Sequence, residues 1–438
     1  MRFLSNLCVT VALVAFIALW IYSSPIMIAA VVVTLALWSS VSRWGRQSAA
    51  IAMTGISGLR HRLGAASVVV VGIAGVVGVL VALLAMANGY AATFRKAGNK
   101  ETAIVLRGAS GSEVMSMLNQ ASVTLVSQAP GVARNAQAKP IVSPEILVAA
   151  TLRRKGVARR AEGSVLLRGV GEEAWAVRPH LKIIAGRKFE PGLRELDVGE
   201  DAEREFAGLG LGRVVTLGAQ KWTVVGVFAH GGVMDSEIWG DVNTVADVFG
   251  RGSSRDSVWV RLTSAQAYGK FKDALLSDPR LHVDVATSLR YFRDQSASVT
   301  KTMEFMGTIV AVIMAIGATF GALNTMFSAV ARRKREIATF RAIGFHGVTV
   351  VVAVMLETML LAALGGAIGI SSAWTLFDGF TASTLAPGAV GQLSFAFSVT
   401  PGLSFEALKW ALAIGFVGGL FPAIAAARLS VASALRSV

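Results

Sequence analysis

Residues 332–344 read RRKREIATFRAIG, a dense basic run and a short amphipathic segment set between two long apolar stretches. Charges this concentrated cannot lie in hydrocarbon, so the segment belongs at a membrane surface, on the side where Arg and Lys accumulate. That side is the cytoplasm. Ile337, Phe340 and Ile343 recur every third residue and make a candidate stripe on a short helix, which Gly344 ends by supplying a left-handed C-cap. The stripe offers a surface for a partner protein to read.

Working outward, composition agrees with a multi-span membrane protein. The chain has 438 residues, 54% hydrophobic and 16% charged, with a mean hydropathy of +0.60, too apolar for a soluble protein of this size. The net charge is +15. Outside the polar middle of the chain, every basic residue except Lys301 and Lys409 falls where one topology puts the cytoplasm, so the basic balance reflects membrane orientation, and no nucleic acid is expected as a partner. The lone Cys8 excludes an intrachain disulfide and a thiolate metal cluster.

That topology is an α-helical membrane protein with about six transmembrane helices plus an extracytoplasmic α+β domain in two lobes. The expected spans are Leu4–Tyr22, Ile26–Val41, Ser67–Ala87, Phe305–Val330, Val348–Trp374 and Leu408–Ala427. Both termini are expected in the cytoplasm. The first run could instead be a signal peptide, but no A-x-A-like site follows and a second apolar run begins at once, so a transmembrane hairpin over 1–44 is the preferred reading. Ser48–Leu63 carries Ile51, Ile56, Leu59 and Leu63 at roughly helical spacing, the pattern of a surface helix within a 45–66 segment. Residues 67–89 hold the third span, 90–300 the extracytoplasmic domain with a second lobe near 180–250, and 301–438 the last three spans with the 332–344 element.

Within the polar domain, Thr102–Leu106, Ser164–Leu167, Val214–Leu217, Trp222–Phe228 and Ser257–Leu262 read as strands, and Ser112–Gln128 and Ala265–Leu276 as helices. Arg290–Glu304 lacks Gly and Pro, so the following span is expected to begin as a helix above the membrane, whereas Phe377–Phe405 reads as a loop.

Catalytic signatures are missing. No G-x-x-x-x-G-K-[S/T] loop or G-x-S-x-G elbow occurs, and Gly208–Gly212 reads as a turn before the Val214 strand. His230, Asp235, Glu237 and Asp241 have metal-capable side chains but no ligand spacing, and a polar loop is the reading. The chain is therefore expected to be no enzyme and to hold no cofactor. Glu357, about ten residues into the fifth span, needs a partner or a water-filled crevice. It is either a hydrogen-bonded carboxyl or a site that senses helix movement. Gly365, Gly366 and Gly369, with Gly415, Gly418 and Gly419, suggest close helix packing, within the chain or between protomers.

The order of parts resembles the ABC-transporter permeases typified by the macrolide exporter MacB, the lipoprotein-release permeases and FtsX. Four stretches carry the resemblance: Gly58–Gly89; the IAGRKF of 184–189 with WTVVGVF of 222–228; REIATFRAIG of 335–344; and FPAIAAARLS of 421–430 with ALR of 434–436. The resemblance implies four core spans, a dimer of permeases (homodimer or heterodimer) in the bacterial inner membrane and a periplasmic domain. It also implies a separate cytoplasmic ABC ATPase that binds ATP and Mg and couples through Arg335, Glu336, Ile337, Phe340, Arg341, Ile343 and Gly344. ATP-driven closure would then move the periplasmic domain without substrate crossing between the spans. A periplasmic adaptor or acceptor protein and membrane lipid are compatible partners. The 1–44 hairpin is extra to this plan, and with no Walker motif the ATPase is expected on another polypeptide. The alternatives are a membrane sensor with a periplasmic ligand domain, a secondary transporter, and an FtsX-like regulator of a cell-wall hydrolase. A sensor lacks its cytoplasmic signalling domain here, and a transporter its inverted repeats.

Overall fold

A computed structural model describes residues 15, 19–57, 63–156, 161–385 and 391–429. In chain order, helices α1 (Pro25–Val41), α2 (Arg43–Ser57) and α3 (Leu63–Ala97) precede strand β1 (Thr102–Arg107) and helix α4 (Gln120–Gln128). Strands β2 (Val142–Arg153) and β3 (Glu162–Val170), helix α5 (Ala174–Val177), strands β4 (Lys182–Gly186) and β5 (Glu195–Gly199) and helix α6 (Glu200–Glu205) follow. Next come β6 (Val214–Leu217), β7 (Gln220–Ala229), β8 (Glu237–Asp241), α7 (Val242–Val248), β9 (Ser257–Arg261), α8 (Ala267–Ser277) and β10 (Val283–Thr287). The chain then runs through α9 (Ser288–Arg332), α10 (Lys334–Ala342), α11 (Gly347–Phe377), the strands β11 (Thr381–Leu385) and β12 (Gln392–Ala396), and α12 (Pro401–Ala427). It divides into a helical unit, Met1–Met86, Met303–Asp378 and Ser398–Val438, and a sheet unit, Ala87–Thr302 and Gly379–Phe397.

Four helices among the described residues are long and apolar enough to cross a membrane: Ala66–Ala97, Ser288–Arg332, Gly347–Phe377 and Pro401–Ala427. This is fewer than the about six expected. The expected span at Leu4–Tyr22 lies almost wholly outside the described residues. Helix α1 has 17 residues, a length of about 26 Å at 1.5 Å per residue, just short of a core of about 30 Å. It joins α2 through a 98° bend, set by extended backbone at Ser42, whose Oγ accepts from the Gly45 amide at 2.8 Å. The surface helix starts at Arg43 instead of Ser48: Gly45 falls in its first turn, where the Ser42 hydroxyl takes up its amide.

Glycines bring the helices together within the chain. A Cβ on Gly365 would stand 2.8 Å from the Val70 carbonyl and one on Gly369 2.5 Å from that of Ala74, so α11 lies backbone to backbone on α3. A Cβ on Gly366 would stand 2.9 Å from that of Ala411, one on Gly419 2.7 Å from the Thr358 hydroxyl, and one on Gly415 would collide with Ala362, so α11 closes on α12. Gly418 sets α12 against Ala322 of α9 at 2.7 Å. Small residues are needed there because the lipid drives no helix association and close van der Waals approach must supply it. Gly72 and Gly75 of the third span face open space instead. Lys409, an exception to the basic topology, is buried: its Nζ donates to the carbonyls of Ile21 and, at 3.3 Å, of Ser23, and it pairs with Glu406 at 2.7 Å. Trp20 Nε1 returns a bond to the Lys409 carbonyl at 3.1 Å. Position 409 is thus a clasp for the chain entering α1, and its charge is spent on the end of a helix, where cations are favourable.

In the sheet unit the strand order is β10-β1-β9-β2-β3-β8-β5-β7-β4, with β6 on β7. Strand β2 is shared. Its start, Val142–Glu145, pairs with β9, and Ile146–Arg153 pairs with β3. Two hydrophobic cores follow, one around Val105, Val126, Val260 and Phe271, the other around Leu167, Val198, Phe206, Trp222 and Ile238. The second core already includes Ala150 and Val165, so it begins well before the 180–250 lobe read from sequence. The expected helix over Ser112–Gln128 is two pieces, a 3-10 turn Glu113–Met115 and α4. Leu118 pairs with Arg255 between them, and Asn119 Oδ1 starts α4 by accepting from the Ser122 amide at 2.8 Å. The loop expected at Phe377–Phe405 instead forms the β11–β12 hairpin. Ser383 and Ser394 both donate to Glu205, at 2.8 and 2.9 Å, fixing the hairpin to the end of α6.

Candidate coupling element

Helix α10 is built by its ends. Arg333, in the break after α9, donates to Glu336 through Nε and Nη2 at 3.0 and 2.9 Å, satisfying a carboxylate in the first turn, where the helix dipole favours it. At the other end Gly344 has φ +102°. The Phe345 amide donates to the Phe340 carbonyl at 3.1 Å and the Gly344 amide to that of Arg341 at 3.2 Å. The rings of Phe340 and Phe345 meet with centroids 5.7 Å apart. This is a Schellman cap with its hydrophobic contact.

The stripe read from sequence does not stay on one face. At 100° per residue, steps of three drift by 60° each, so Ile343 lies about 120° from Ile337. Ile337 is 5% exposed and lines a small cavity with Ile51, Val350 and Ala353, Phe340 is half-buried and packs with Ile51 and Ala353 of α2 and α11, and Ile343 is 70% exposed. The exposed face consists of Arg335, Thr339, Ala342 and Ile343, spaced i, i+4, i+7 and i+8. Arg341 turns back on its own chain and donates through Nη1 to the carbonyls of Ala427 and Leu429, the former at 2.9 Å, closing the end of α12.

Below α10, Glu357 is 6% exposed and Arg333 is 9% exposed. Arg333 Nη1 donates to Glu357 Oε2 at 3.0 Å. Gly55 of α2 covers the pair so closely that a Cβ there would stand 2.8 Å from the Glu357 carboxylate and 2.9 Å from the guanidinium. Arg333 therefore differs from its neighbours Arg332, Lys334 and Arg335, which are exposed: it is the counter-charge for Glu357 and ties together α2, α10 and α11. Sequence alone asks for a partner to Glu357 but does not name Arg333, since the contact spans 24 positions.

A second charged constellation lies in the sheet unit, where sequence gave no signal. Arg168 is buried and pairs with Glu113, Glu145 and Glu237 at 2.9, 2.9 and 2.7 Å, and Arg178 pairs with Glu145. Trp259 and Trp239 donate from their indoles to Glu113 and Glu237, both at 2.9 Å, and the Arg178 guanidinium lies 4.2 Å over the Trp259 ring. Burial raises the Glu113 carboxyl, but Arg168 with the Ser257 and Trp259 donors outweighs it and holds the group below its ordinary value. Of the metal-capable residues of 230–241, the three carboxylates are engaged, while His230 contributes its backbone amide and its buried Nδ1 has no hydrogen-bond partner. Asp235 accepts from the amides of His230 and Gly231, both at 2.6 Å, Asp241 caps α7, and Glu237 serves Arg168. Gly208 and Gly212 have φ of +89° and +74°, the turn expected before β6.

The sequence profile of the MacB-like periplasmic core domain matches residues 64–277. That of the FtsX-like permease C-terminal domain matches residues 308–431. The chain belongs to the MacB/FtsX-like family of ABC-transporter permeases. Among curated relatives, the macrolide export ATP-binding/permease protein MacB 1 of Yersinia pestis bv. Antiqua is 28% identical over 234 residues, covering 51% of this chain and 35% of the relative. The MacB of Bradyrhizobium diazoefficiens is 28% identical over 305 residues, covering 65% and 45%. The permease thus spans less than half the length of the curated relatives it matches. The crystal structure of the periplasmic region of MacB from Actinobacillus actinomycetemcomitans aligns at a TM-score of 0.33 and 17% identity over 48% of this chain and 95% of that one.

Proposed function

We propose that this permease transmits the ATP-driven movement of a separate cytoplasmic ATPase to its extracytoplasmic sheet unit, to export or extract a substrate from the periplasm or the membrane. It works as one of two paired permeases. The observation that carries this reading is the two-sidedness of α10. One face is locked to α2 and α11 through Ile337, Phe340 and the Arg333–Glu357 pair, and the other presents Arg335, Thr339, Ala342 and Ile343 outward. A docking protein that moves α10 must move the helices it is tied to. Helices α3 and α9 each carry residues of both units, so the chain runs without a break in helix from one to the other.

The test uses the full chain reconstituted in vesicles with the ATPase that co-purifies with it. Arg335→Glu with Ile343→Glu should abolish stimulation of ATP hydrolysis while leaving insertion and thermal stability unchanged, because both side chains are exposed. An unaltered hydrolysis rate would sink the docking assignment.

A further inference from the structure

Helices α1, α2, α11 and α12 enclose an apolar crevice of about 560 Å³ within the helical unit. Its lining extends from Trp20, at the Lys409 clasp, to Gly45 and Ser48, at the 98° bend between α1 and α2. Between these ends Leu35, Trp38, Leu356 and Phe416 form its walls. The chain is fastened at both ends of the crevice and stands away from α11 and α12 in the middle.

Water does not suit this space. The hydroxyls on its wall, Ser39 and Ser48, already donate to the carbonyls of Ala36 and Trp44, at 2.7 and 2.8 Å, and a water needs two to four polar partners. An engineered apolar cavity of about 150 Å³ takes benzene, so a crevice of about 560 Å³ has room for roughly twenty carbons. That is one acyl chain. At the bend, Arg43 and Arg46 are exposed, and Arg46 Nη1 reaches back to the carbonyls of Ser40 and Val41 at 3.3 and 3.2 Å. The first acidic residue in the sequence is Glu101, so no carboxylate from α1, α2 or α3 neutralises this pair of charges.

We propose that the crevice binds one acyl chain of an anionic phospholipid, with its phosphate held by Arg43 and Arg46. The lipid fills the gap between the amino-terminal chain and α11–α12 and fastens one to the other. The apolar wall sets the tail and the arginines select the headgroup, as polybasic segments beside a membrane do.

The purified full-length chain in detergent is tested by native mass spectrometry after adding phosphatidylglycerol or phosphatidylcholine with the same acyl chains. One phosphatidylglycerol should be retained per chain, at least fivefold more than phosphatidylcholine. Ala49→Trp or Val352→Trp, which fill the crevice from opposite walls, should each reduce retention tenfold. Arg43→Gln with Arg46→Gln should keep a bound lipid but erase the preference, and because these side chains are exposed that arm stands even if the tryptophan variants fail to fold. Glycerol phosphate, which lacks the tails, should not compete. The proposal is overturned by retention of neither lipid, by an unchanged headgroup preference in the arginine variant, by well-folded tryptophan variants that retain lipid normally, or by competition from glycerol phosphate. It is equally overturned if Ala36→Cys cross-links two chains, which would give the crevice to a second copy.

Discussion

Arg333 and Glu357 show how a single ion pair can be worth more for what its absence would leave than for what it adds. A buried pair gains little over apolar residues of the same volume, yet removing one member strands the other. Arg333→Gln should therefore cost about 3–5 kcal/mol by stranding the Glu357 carboxylate. Glu357→Gln should cost clearly less, because Arg333 keeps Glu336. Thermal unfolding of the two variants in detergent decides this, and equal losses would mean that the carboxylate is not held by Arg333. Asp197 offers a separate test in the sheet unit. Its side chain is fully buried, accepts from the Phe189 amide at 3.1 Å and leaves Oδ1 without a partner. Burial pushes its carboxyl from the ordinary 3.8 up to about 7. Between these values the folded chain holds a proton here that the unfolded chain has released, so the contribution of Asp197 to stability is fully present below pH 3.8 and is lost as pH rises towards 7. Asp197→Asn should remove that fall, raising stability at pH 8 by no more than ~4 kcal/mol and far less at pH 4. Melts followed by the fluorescence of the buried Trp222, Trp239 and Trp259 would show it, and parallel curves for the two proteins would refute it.

At the scale of elements, four of the expected spans, the α10 segment and its Gly344 cap are legible because each rests on a local rule: apolar length, charge placement, a glycine after a periodic run. What the sequence hid follows equally from physics. Strand β2 contains Pro144, Glu145 and two alanines, poor strand formers that tertiary pairing overrides. Its Glu145 is a buried ion-pair member instead of a turn residue. The β11–β12 hairpin reads as a loop in sequence because each strand is only five residues long: β12 does alternate, with Leu393 and Phe395 buried, but β11 (Thr-Ala-Ser-Thr-Leu) shows no such pattern to pair with it. The stripe at 337, 340 and 343 failed because a period of three is not the period of the α-helix. The same reasoning predicts opposite outcomes for neighbouring positions. Ile337→Ala should cost about 2–4 kcal/mol by enlarging the small cavity that it lines with Ile51, Phe340 and Ala353. Gly344→Ala should cost about 1–3 kcal/mol through strain at φ +102°, whereas Ala342→Ser, on the exposed face, should cost almost nothing. Denaturant midpoints of the three variants would rank them, and a costly Ala342→Ser would contradict the assignment of faces.

For the molecule as a whole, each unit is a contiguous structure made from discontinuous chain, the helical one from three segments and the sheet one from two. Such interleaving explains why Gly379–Phe397, distant along the chain, does not read as part of the polar domain in sequence. The shared strand β2 carries this further. Its first four residues close one hydrophobic core and its remainder closes the other, so neither half of the sheet can melt without withdrawing a wall from its neighbour. The two cores are thus thermodynamically one cooperative body despite having separate interiors. Calorimetry should record a single endotherm for the sheet unit instead of two. A peptide bond cut anywhere within 142–153 should abolish the whole transition, not half of it.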